Sequence, residues 1–568
     1  MKALRNLWKK TRSRILLLVG IIGLAFGTYS FVDKDFKLLK SLDIYYTLFR
    51  ELNLYYVDET DPEDLVRTSI DGMLESLDPY TVFIPESDLD EYEFMTTGEY
   101  AGIGAMIRKI GPQIIISDIL ENNPAQKAGI KIGDILLEIN GHSVSSKSSS
   151  QINDLFKGEP NSTIELTLER PNNPKPFKKT MIREQITVSN VPYYGMVSPT
   201  VGFIRISNFT INAHVEVKNA LIALKSQGAE GMILDLRGNP GGLLIEAVDI
   251  ANLFIDKGQE IVRTKGKVKQ WDNIYKTPSP ATDPKIPLVV LVNHNSASAS
   301  EIVAGALQDL DRAVVIGIKT FGKGLVQTTR ELSYNTKLKV TTAKYYIPSG
   351  RCIQALDYSH RDAEGKVGYI SDTLIHEFST RTGRKVFDGG GINPDITMQN
   401  EPISRIVLNL YSRNYLFNYA TLYLIKHDSV SRPSNFRFTD QDFADFSAFL
   451  KKSDFDYQTE TEEALSKLKN IAEKEKYWET SKTEFTALKE KLKHDKDIDL
   501  QNNKQEITDM LKEEIMSRVY FQKGRIEISL PSDPFILQAL DVLKNPTLYS
   551  GILAGTYKPY LAERSPIK

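Results

Sequence analysis

The sequence predicts a multidomain protein of the α/β class, with a helical N-terminal segment, a small β-rich module, a core of alternating strands and helices, and a helical C-terminal domain. A chain of 568 residues has room for several domains of about 100–200 residues each. Apolar spacing changes near residue 98 from a helical to an alternating pattern. From about residue 191, near-continuous apolar strands alternate with helical stretches, which is typical of a sheet covered by helices. The predicted divisions are residues 1–32, 33–97, 98–190, 191–400 and 401–568.

Composition excludes several classes of protein. Hydrophobic residues make up 41% of the chain and charged residues 25%, which is typical of globular proteins and not of disordered ones. The single cysteine, Cys352, excludes an internal disulfide framework, a cysteine-based zinc cluster and a CxxC redox pair. A net charge of −2 lacks the basic character of nucleic-acid-binding proteins. No group of residues has metal-ligand spacing, so we expect neither a metal nor a cofactor.

The N-terminus combines a basic flank with an apolar run. Residues 15–32 carry no charge, and this pattern fits either a signal peptide or a membrane-spanning signal anchor. The run is long for a signal peptide, and no clear cleavage site follows it, which favours an uncleaved anchor. The positive-inside rule then keeps the N-terminus in the cytoplasm and exports the rest of the chain into the cell envelope. A buried core helix is the remaining alternative, but it gives the basic flank no role. The basic residues are Lys2, Arg5, Lys9, Lys10, Arg12 and Arg14.

Residues 33–97 carry a helical stripe. Asp61 followed by Pro62 predicts the cap and first turn of a second helix that runs through Leu74. The stripe itself predicts helix packing, either within the chain or against a second copy. Its members recur at steps of four and three residues, namely Leu38, Leu42, Tyr45, Phe49 and Leu52.

Residues 98–190 predict a β-rich module, because apolar and polar residues alternate between Gly and Asn turns, with one short helix at 124–128. The glycine loop AGIG at 101–104 and the run AGIKIGDILLEINGHSV at 128–144 resemble a PDZ domain. PDZ domains bind peptide C-termini by adding the peptide as an extra strand. The resemblance implies that backbone N–H groups of the loop hold the terminal carboxylate, and a vestigial groove is the alternative. The loop residues concerned are Gly102, Ile103 and Gly104.

Two strand-to-helix junctions of the core carry glycine and serine, DLRGNPGG at 235–242 and NHNSASASEI at 293–302. A strand end holds the backbone rigidly, and the first N–H groups of the following helix are unpaired. Small side chains let a substrate backbone come close. Together the junctions contain the parts of a serine nucleophile and an oxyanion hole, whose donors stabilise the charge of a tetrahedral intermediate.

A serine hydroxyl needs a base, and two are available. His294 shares a segment with the serines, but no GxSxG elbow surrounds any of them. Lysine is the other established base, and Lys323 lies between two glycines in GIKTFGKGLVQ, residues 317–327. A phosphate loop is excluded, because the pattern GxxxxGK[ST] fails at Gly324. The residues alone leave three nucleophiles open, Ser296, Ser298 and Ser300.

The ordered motifs of residues 34–400 resemble the carboxyl-terminal processing (tail-specific) peptidase family. The resemblance implies a crotonase-like ββα fold for a core that acts through a Ser–Lys dyad. It does not extend to residues 401–568, where we expect helices and a flexible charged stretch near 475–505. The motifs are NHNSASASEIVAGALQD, GIKTFGKGLVQ, SLDPYTVFIP (76–85), LDLRGNPGG (234–242), KYYIPSGRCIQ (344–354) and GINPDI (391–396).

The resemblance also implies a role for each site residue. Ser298 is the nucleophile, Lys323 its base, and Gln327 orients the lysine amine. The pKa of a lysine is ordinarily near 10.4, and burial lowers it so that a neutral amine can take the serine proton. Asp309 has a supporting role. The oxyanion donors are implied to be the N–H of Ala299 and one N–H from Gly241 or Gly242.

The expected function is that of an exported, membrane-tethered serine endopeptidase that cleaves proteins near their C-terminus. Its PDZ domain selects substrate C-termini and gates activity. The expected partners are proteins or peptides with free C-termini, the cytoplasmic membrane through residues 15–32, and a second copy of the chain in a homo-oligomer, with no nucleic acid. The alternative is a catalytically silent PDZ binding or scaffold protein of the envelope.

Overall fold

The structure is a computed structural model that describes residues 35–171, 173–399, 402–427 and 429–557. It divides into two units, residues 1–83 and 84–568. The predicted signal anchor lies outside the described residues. Among the residues that are described, none of the helices has both the length and the apolar character needed to cross a bilayer.

The first unit contains two helices, α1 (residues 35–55) and α2 (Pro62–Glu75), before the short strand β1 (Val82–Ile84) at the unit boundary. The predicted cap is present, since the Asp61 carboxylate accepts the Glu63 N–H at 2.8 Å. The apolar stripe of α1 stays largely exposed, with Leu38 at 59% and Leu42 at 55%. Packing of the stripe within the chain and a seam with a second copy both stay predictions.

The β-rich module is a curved sheet with two helices. Its strands run in the order β3-β4-β5-β7-β8, so β3 is an edge strand, while β2 pairs with β9. The elements are α3 (Leu89–Thr97), β2 (Glu99–Gly102), β3 (Ala105–Ile110), β4 (Gln113–Ile119), α4 (Pro124–Lys127), β5 (Ile135–Ile139), β6 (His142–Ser143), α5 (Ser149–Phe156), β7 (Thr163–Arg170), β8 (Asn173–Ile182) and β9 (Glu184–Thr187).

The prediction of a single short helix in this module is wrong, because α5 is a second one. Its start is fixed by a reciprocal cap, in which Ser148 Oγ accepts the Gln151 N–H at 3.2 Å and Gln151 Oε1 accepts the Ser148 N–H at 2.9 Å. Only Ile152 and Phe156 of α5 are buried. One apolar pair in a serine-rich run is too short to show a helical period.

The core is a six-stranded sheet in the order β10-β11-β12-β15-β16-β23, parallel except for β10. A second, antiparallel sheet contains β17, β18, β13 and β14. The strands are β10 (Tyr193–Ser198), β11 (Val201–Arg205), β12 (Gly231–Asp235), β13 (Glu260–Gly266), β14 (Asn273–Lys276), β15 (Leu288–Val292), β16 (Val314–Gly317), β17 (Leu325–Glu331), β18 (Lys337–Tyr346), β19 (Leu356–Arg361), β20 (Val367–Tyr369), β21 (Glu377–Ser379), β22 (Lys385–Phe387) and β23 (Ile396–Thr397). The helices are α6 (Ala213–Ser226), α7 (Leu244–Asn252) and α8 (Ala299–Asp309).

The C-terminal region is helical throughout its described part. The stretch near 475–505 that was predicted to be flexible contains two helices: the Asp495 side chain caps the second of them, and Leu500 is buried. The helices are α9 (Arg405–Ser412), α10 (Tyr415–Lys426), α11 (Asp440–Lys452), α12 (Glu460–Lys474), α13 (Trp478–Leu492), α14 (Lys496–Asn502), α15 (Lys504–Ser529), α16 (Pro534–Lys544) and α17 (Pro546–Leu553).

Two apolar layers sandwich the parallel sheet. One face packs on α6, α7 and α8, through strand residues such as Leu234 and Val290. The other face packs on the C-terminal helices α16 and α17, through strand residues such as Ile233 and Leu291. The four inner strands β11, β12, β15 and β16 are therefore buried on both sides, which explains the continuous apolar runs in the sequence.

Candidate active site

The site lies at the carboxyl ends of β12 and β15, which are neighbouring parallel strands. The loops that follow these strands are bound to each other. The Ala297 N–H donates to the Asn239 carbonyl at 3.0 Å, and Ser296 Oγ donates to the Leu236 carbonyl at 2.8 Å. The two junctions singled out in the sequence therefore form one structure.

The hydroxyl groups of the three serines differ in their bonding. Ser296 and Ser300 are fully buried, and both donate to backbone carbonyls, with Ser300 Oγ lying 3.0 Å from the Asn239 carbonyl. Ser298 Oγ is buried and makes no hydrogen bond with any described residue. An unpaired buried hydroxyl costs free energy unless it has another use. The geometry thus distinguishes Ser298 from its two neighbours.

Ser298 has a strained backbone at the N-terminus of α8, with φ 55° and ψ −113°. Such a conformation costs about 1–3 kcal/mol in a residue other than glycine. Two contacts hold it in place: the Glu301 carboxylate accepts the Ser298 N–H at 2.9 Å, and the Tyr345 hydroxyl donates to the Ser298 carbonyl at 3.2 Å. The strain is therefore imposed by the residues around the serine.

The glycine loop after β12 lies very close to the backbone beside Ser298. A Cβ atom at Gly241, where φ is +100°, would lie 2.9 Å from the Ala299 nitrogen, so a side chain does not fit there. The Gly241 N–H already donates to Asn239 Oδ1 at 2.8 Å. Among the described residues, the N–H groups of Gly242 and Ala299 have no such acceptor. Of the two glycines implied as the second oxyanion donor, the geometry favours Gly242.

Glu301 connects the serine to the lysine loop. Its carboxylate accepts four hydrogen bonds: from the Ser298 N–H at 2.9 Å, the Thr320 hydroxyl at 2.6 Å, the Gly322 N–H at 2.7 Å and the Lys323 N–H at 2.9 Å. Burial raises the pKa of Glu301 to about 7, although these hydrogen bonds act to lower it. One buried side chain thus fixes the backbones of Ser298 and Lys323 relative to each other.

The remaining implied residues lie nearby or support the site from a distance. Lys323 is half-buried between the buried Gly322 and Gly324. Gln327, on β17, donates its amide to Thr341 Oγ1 at 3.2 Å. His294 is exposed. Ser298 Oγ has no hydrogen-bond partner among the described residues, and the Glu301 carboxylate accepts the backbone N–H groups of both Ser298 and Lys323.

Asp309 lies at the opposite end of α8 from Ser298, roughly 16 Å along the helix axis. Its carboxylate binds Arg351 Nη2 at 2.8 Å and the Ser349 N–H at 2.9 Å. Neither the Asp309 nor the Arg351 side chain is exposed to solvent. Burial raises the pKa of Asp309 against the opposing effect of the Arg351 charge. Asp309 therefore supports the fold behind the site.

The glycine loop of the β-rich module leads into the edge strand β3, which lies beside α5. The carbonyls of Ile103 and Gly104 accept the N–H groups of Ala125 and Leu120, at 2.9 and 2.8 Å. In the described chain, the N–H groups of Ile103 and Gly104 have no acceptor. A Cβ at Gly104 would lie 2.5 Å from Asn123 Cβ, so the loop needs glycine there. The loop thus offers free backbone donors at the end of an open strand edge.

Sequence reasoning missed Glu301, Tyr345 and the ion pairs of Arg237. A signal existed for Glu301, because Ser298-x-x-Glu301 has the pattern of a capping box at a helix start. Tyr345 carries no local signal, since its partner Ser298 is distant in the chain. Arg237 pairs with Asp235, two residues before it, and also with Asp533, which is distant in the chain. Among the described residues, no cluster of three His, Cys, Asp or Glu side chains is arranged to hold a metal ion.

Three family profiles match separate parts of this chain. The profile described as "Peptidase family S41" matches residues 200–359, "PDZ domain" matches 101–179, and "Probable PDZ-protease, C-terminal helical domain" matches 406–543. A "Probable CtpA-like serine protease" of Staphylococcus epidermidis is 38% identical over 54% of this chain and 62% of its own length. A protein of the same description from Staphylococcus aureus is 37% identical, over 54% and 61%.

The match therefore spans about three fifths of the length of these curated relatives. Among solved structures, one described as a photosystem II D1 C-terminal processing protease is 27% identical. It covers 62% of this chain and 86% of its own, with a TM-score of 0.34.

Proposed function

We propose, from the match of residues 200–359 to peptidase family S41 and of residues 101–179 to a PDZ domain, that this chain is a serine endopeptidase acting through a Ser298–Lys323 dyad. The Glu301 clamp is the observation that carries the proposal, because it fixes a strained serine and a half-buried lysine on one carboxylate.

In the proposed reaction, Ser298 Oγ attacks the scissile carbonyl and its proton passes to the neutral amine of Lys323. The N–H groups of Ala299 and Gly242 stabilise the oxyanion. The lysine then protonates the leaving amine. Water, with Lys323 again as base, releases the acyl group from the serine.

Gln327 is proposed to orient the lysine amine once substrate is bound. In the present structure its amide donates to Thr341, and Ser298 Oγ has no partner. Catalytic hydrogen bonds are often loose before substrate binds. Substrate binding is then expected to bring Gln327 to the lysine amine, while Glu301 already holds the backbones of Ser298 and Lys323.

The dyad is tested by cleavage of an unfolded protein substrate. Ser298→Ala and Lys323→Arg are expected to abolish turnover, because arginine cannot release its proton at working pH. Gln327→Ala should be milder, since the amine remains. His294→Ala is the control and should retain activity. Cleavage that survives in Lys323→Arg and is lost in His294→Ala would replace the lysine by a histidine base. No serine-dependent cleavage at all would favour a silent scaffold.

We further propose that the PDZ domain selects substrate C-termini. The free N–H groups of Ile103 and Gly104, beside the open edge of β3, support a carboxylate site. Amidating the C-terminus of a substrate should weaken its cleavage. Equal cleavage of the free-acid and amidated forms would remove this claim and leave the dyad intact.

Tethering to the cytoplasmic membrane is proposed from the sequence alone, through the basic flank and residues 15–32. Protease added to spheroplasts should digest the peptidase domain. Digestion only after lysis would show that the domain is not on the outer side.

A further inference from the structure

The oxyanion loop, residues 238–242, is anchored at its start by Arg237. The Arg237 carbonyl accepts Arg205 Nη2 at 2.7 Å, and its N–H donates to Asp235 Oδ1 at 3.0 Å. Both backbone polar groups of Arg237, the residue ahead of the loop, are therefore held by charged side chains, and such hydrogen bonds are stronger than neutral ones.

The Arg237 side chain extends from the peptidase core to the C-terminal helical domain. Its guanidinium binds Asp235 at 2.9 and 2.8 Å and Asp533 at 3.1 and 2.7 Å. It also lies over the Phe535 ring, 5.0 Å from the centroid. Asp533 and Phe535 belong to the C-terminal helical domain. The exposed fraction is 15% for the Arg237 side chain and 18% for that of Asp533.

Asp533 is itself fixed from two directions. It is the cap of α16, where its carboxylate accepts the Phe535 N–H at 2.9 Å. Helix α16 covers the second face of the parallel sheet with apolar residues such as Ile536 and Ala539. The anion that faces Arg237 therefore sits on a rigid helix packed against the same sheet that carries the site.

Charge is balanced within this group. Two guanidinium groups, of Arg205 and Arg237, face two carboxylates, of Asp235 and Asp533. Asp235 is fully buried. Neutralising Asp533 would leave the Arg237 guanidinium with Asp235 as its one carboxylate and would remove the ion pair that ties the residue ahead of the loop to α16.

We propose that Asp533 is a positioning residue for the oxyanion donors, acting through Arg237 on loop 238–242. The proposal rests on the peptidase function above. The C-terminal domain then takes part in catalysis. Its helix α16 covers one face of the parallel sheet and also positions the loop 238–242, whose N–H groups are to stabilise the charge of the transition state.

The test compares Asp533→Asn with Asp541→Asn, measured per titrated active site. The asparagine oxygen can still accept the Phe535 N–H, so α16 keeps its cap, while the negative charge that faces Arg237 is lost. Asp541 lies on the same helix and is exposed, which makes it the matched control. We expect kcat to fall about tenfold in Asp533→Asn with KM unchanged, less than the 10²–10³ that loss of a whole oxyanion donor costs. Asp541→Asn should match the wild type.

A second readout separates positioning from general destabilisation. A peptide boronic acid forms a tetrahedral adduct with the nucleophilic serine and depends on the oxyanion donors. Its affinity should fall by the same factor as kcat in Asp533→Asn, while a PDZ-binding peptide keeps its affinity. Unchanged kcat, or a lowered kcat with unchanged boronate affinity, would overturn the proposal. Should Asp533→Asn fail to fold, Arg237→Lys, which keeps the charge and loses the fork, must show the same paired loss. Cleavage that persists in Ser298→Ala would instead overturn the proposed function.

Discussion

The Glu301 carboxylate is surrounded only by hydrogen-bond donors, three backbone N–H groups and the Thr320 hydroxyl. Such a set favours the ionised carboxylate, since a protonated oxygen would turn a hydrogen toward other hydrogens, and it acts against the burial that raises the pKa of Glu301. The sequence contains the Ser-x-x-Glu pattern but does not reveal the lysine loop as the other partner. Likewise, Ser298 cannot be chosen over Ser296 and Ser300 from sequence, because their bonding depends on carbonyls of the loop after β12.

Glu301→Gln should therefore damage both stability and activity. The new amide would face two donors that have no other acceptor, and a buried unsatisfied group costs about 1–3 kcal/mol. We expect a lower midpoint of urea unfolding and a large loss of kcat, with KM little changed. Glu331→Gln, whose side chain is 73% exposed on the neighbouring strand, serves as the control. Wild-type kcat in Glu301→Gln would show that the clamp is not needed.

The raised pKa of Glu301 gives two pH dependences of opposite sign. Its folded pKa, about 7, exceeds the ordinary 4.5, so the folded state binds the proton more tightly than the unfolded chain. The contribution of this group to the free energy of unfolding is then greatest below 4.5 and is lost as pH rises to 7. Activity should rise over the same pH range toward 7, because the clamp needs the carboxylate. Urea unfolding and kcat, each measured from pH 5 to 8, check both slopes, and Glu301→Gln should lose the stability slope.

At the scale of elements, the strands of the parallel sheet are the part that sequence predicts well. Their continuous apolar runs report burial on both faces, and strands over 201–207, 231–237, 286–293 and 313–317 are all present within a residue or two. Sequence does not reveal what covers the second face. Helices α16 and α17 lie more than two hundred residues beyond these strands, and their apolar faces are ordinary for any packed helix.

The cover formed by α16 should be a main source of stability for the peptidase core. Ile536 is 1% exposed and packs against the sheet, whereas its neighbour Leu537 is 47% exposed. Ile536→Ala should cost about 2–5 kcal/mol of unfolding free energy, because it removes buried methyl groups and leaves a cavity. Leu537→Ala should cost far less. Equal effects in urea denaturation would mean that α16 is not part of the core.

At the scale of the whole molecule, the C-terminal domain packs against the PDZ domain. Three consecutive residues of β4, Ile114, Ile115 and Ile116, are all at most 6% exposed. Successive strand residues point to opposite faces, so both faces of this sheet are covered. Phe417 of α10 belongs to the PDZ core cluster. No local pattern in the sequence could predict this, since the contact joins segments three hundred residues apart.

Contacts within the C-terminal domain hold Phe417 in place. The fully buried Arg518 guanidinium lies over its ring, 4.3 Å from the centroid, and donates to its carbonyl at 2.8 Å. At the PDZ side, Arg108 of β3 donates to Asn414 at 3.1 Å, and Gly133 leaves no room for a Cβ beside Thr421. Arg108 of β3 takes part in this contact, whereas the proposed carboxylate donors, the N–H groups of Ile103 and Gly104, do not. Anchoring and peptide binding should therefore be separable.

Phe417→Ala should weaken the packing contact that anchors the PDZ domain without changing its peptide-binding site. Loss of a buried ring removes the packing that covers the back of the sheet and costs about 3–5 kcal/mol at the contact. We expect faster hydrogen–deuterium exchange in β3 and β4 and easier proteolysis between the two domains. The dissociation constant of a free-acid peptide should stay within about twofold, because none of its proposed contacts changes. Leu422→Ala on the same helix, where the side chain is 37% exposed, should leave exchange unaltered. Unchanged exchange in Phe417→Ala would show that other contacts hold the PDZ domain in place. Weakened peptide binding would show that the Phe417 contact and the peptide-binding site are coupled.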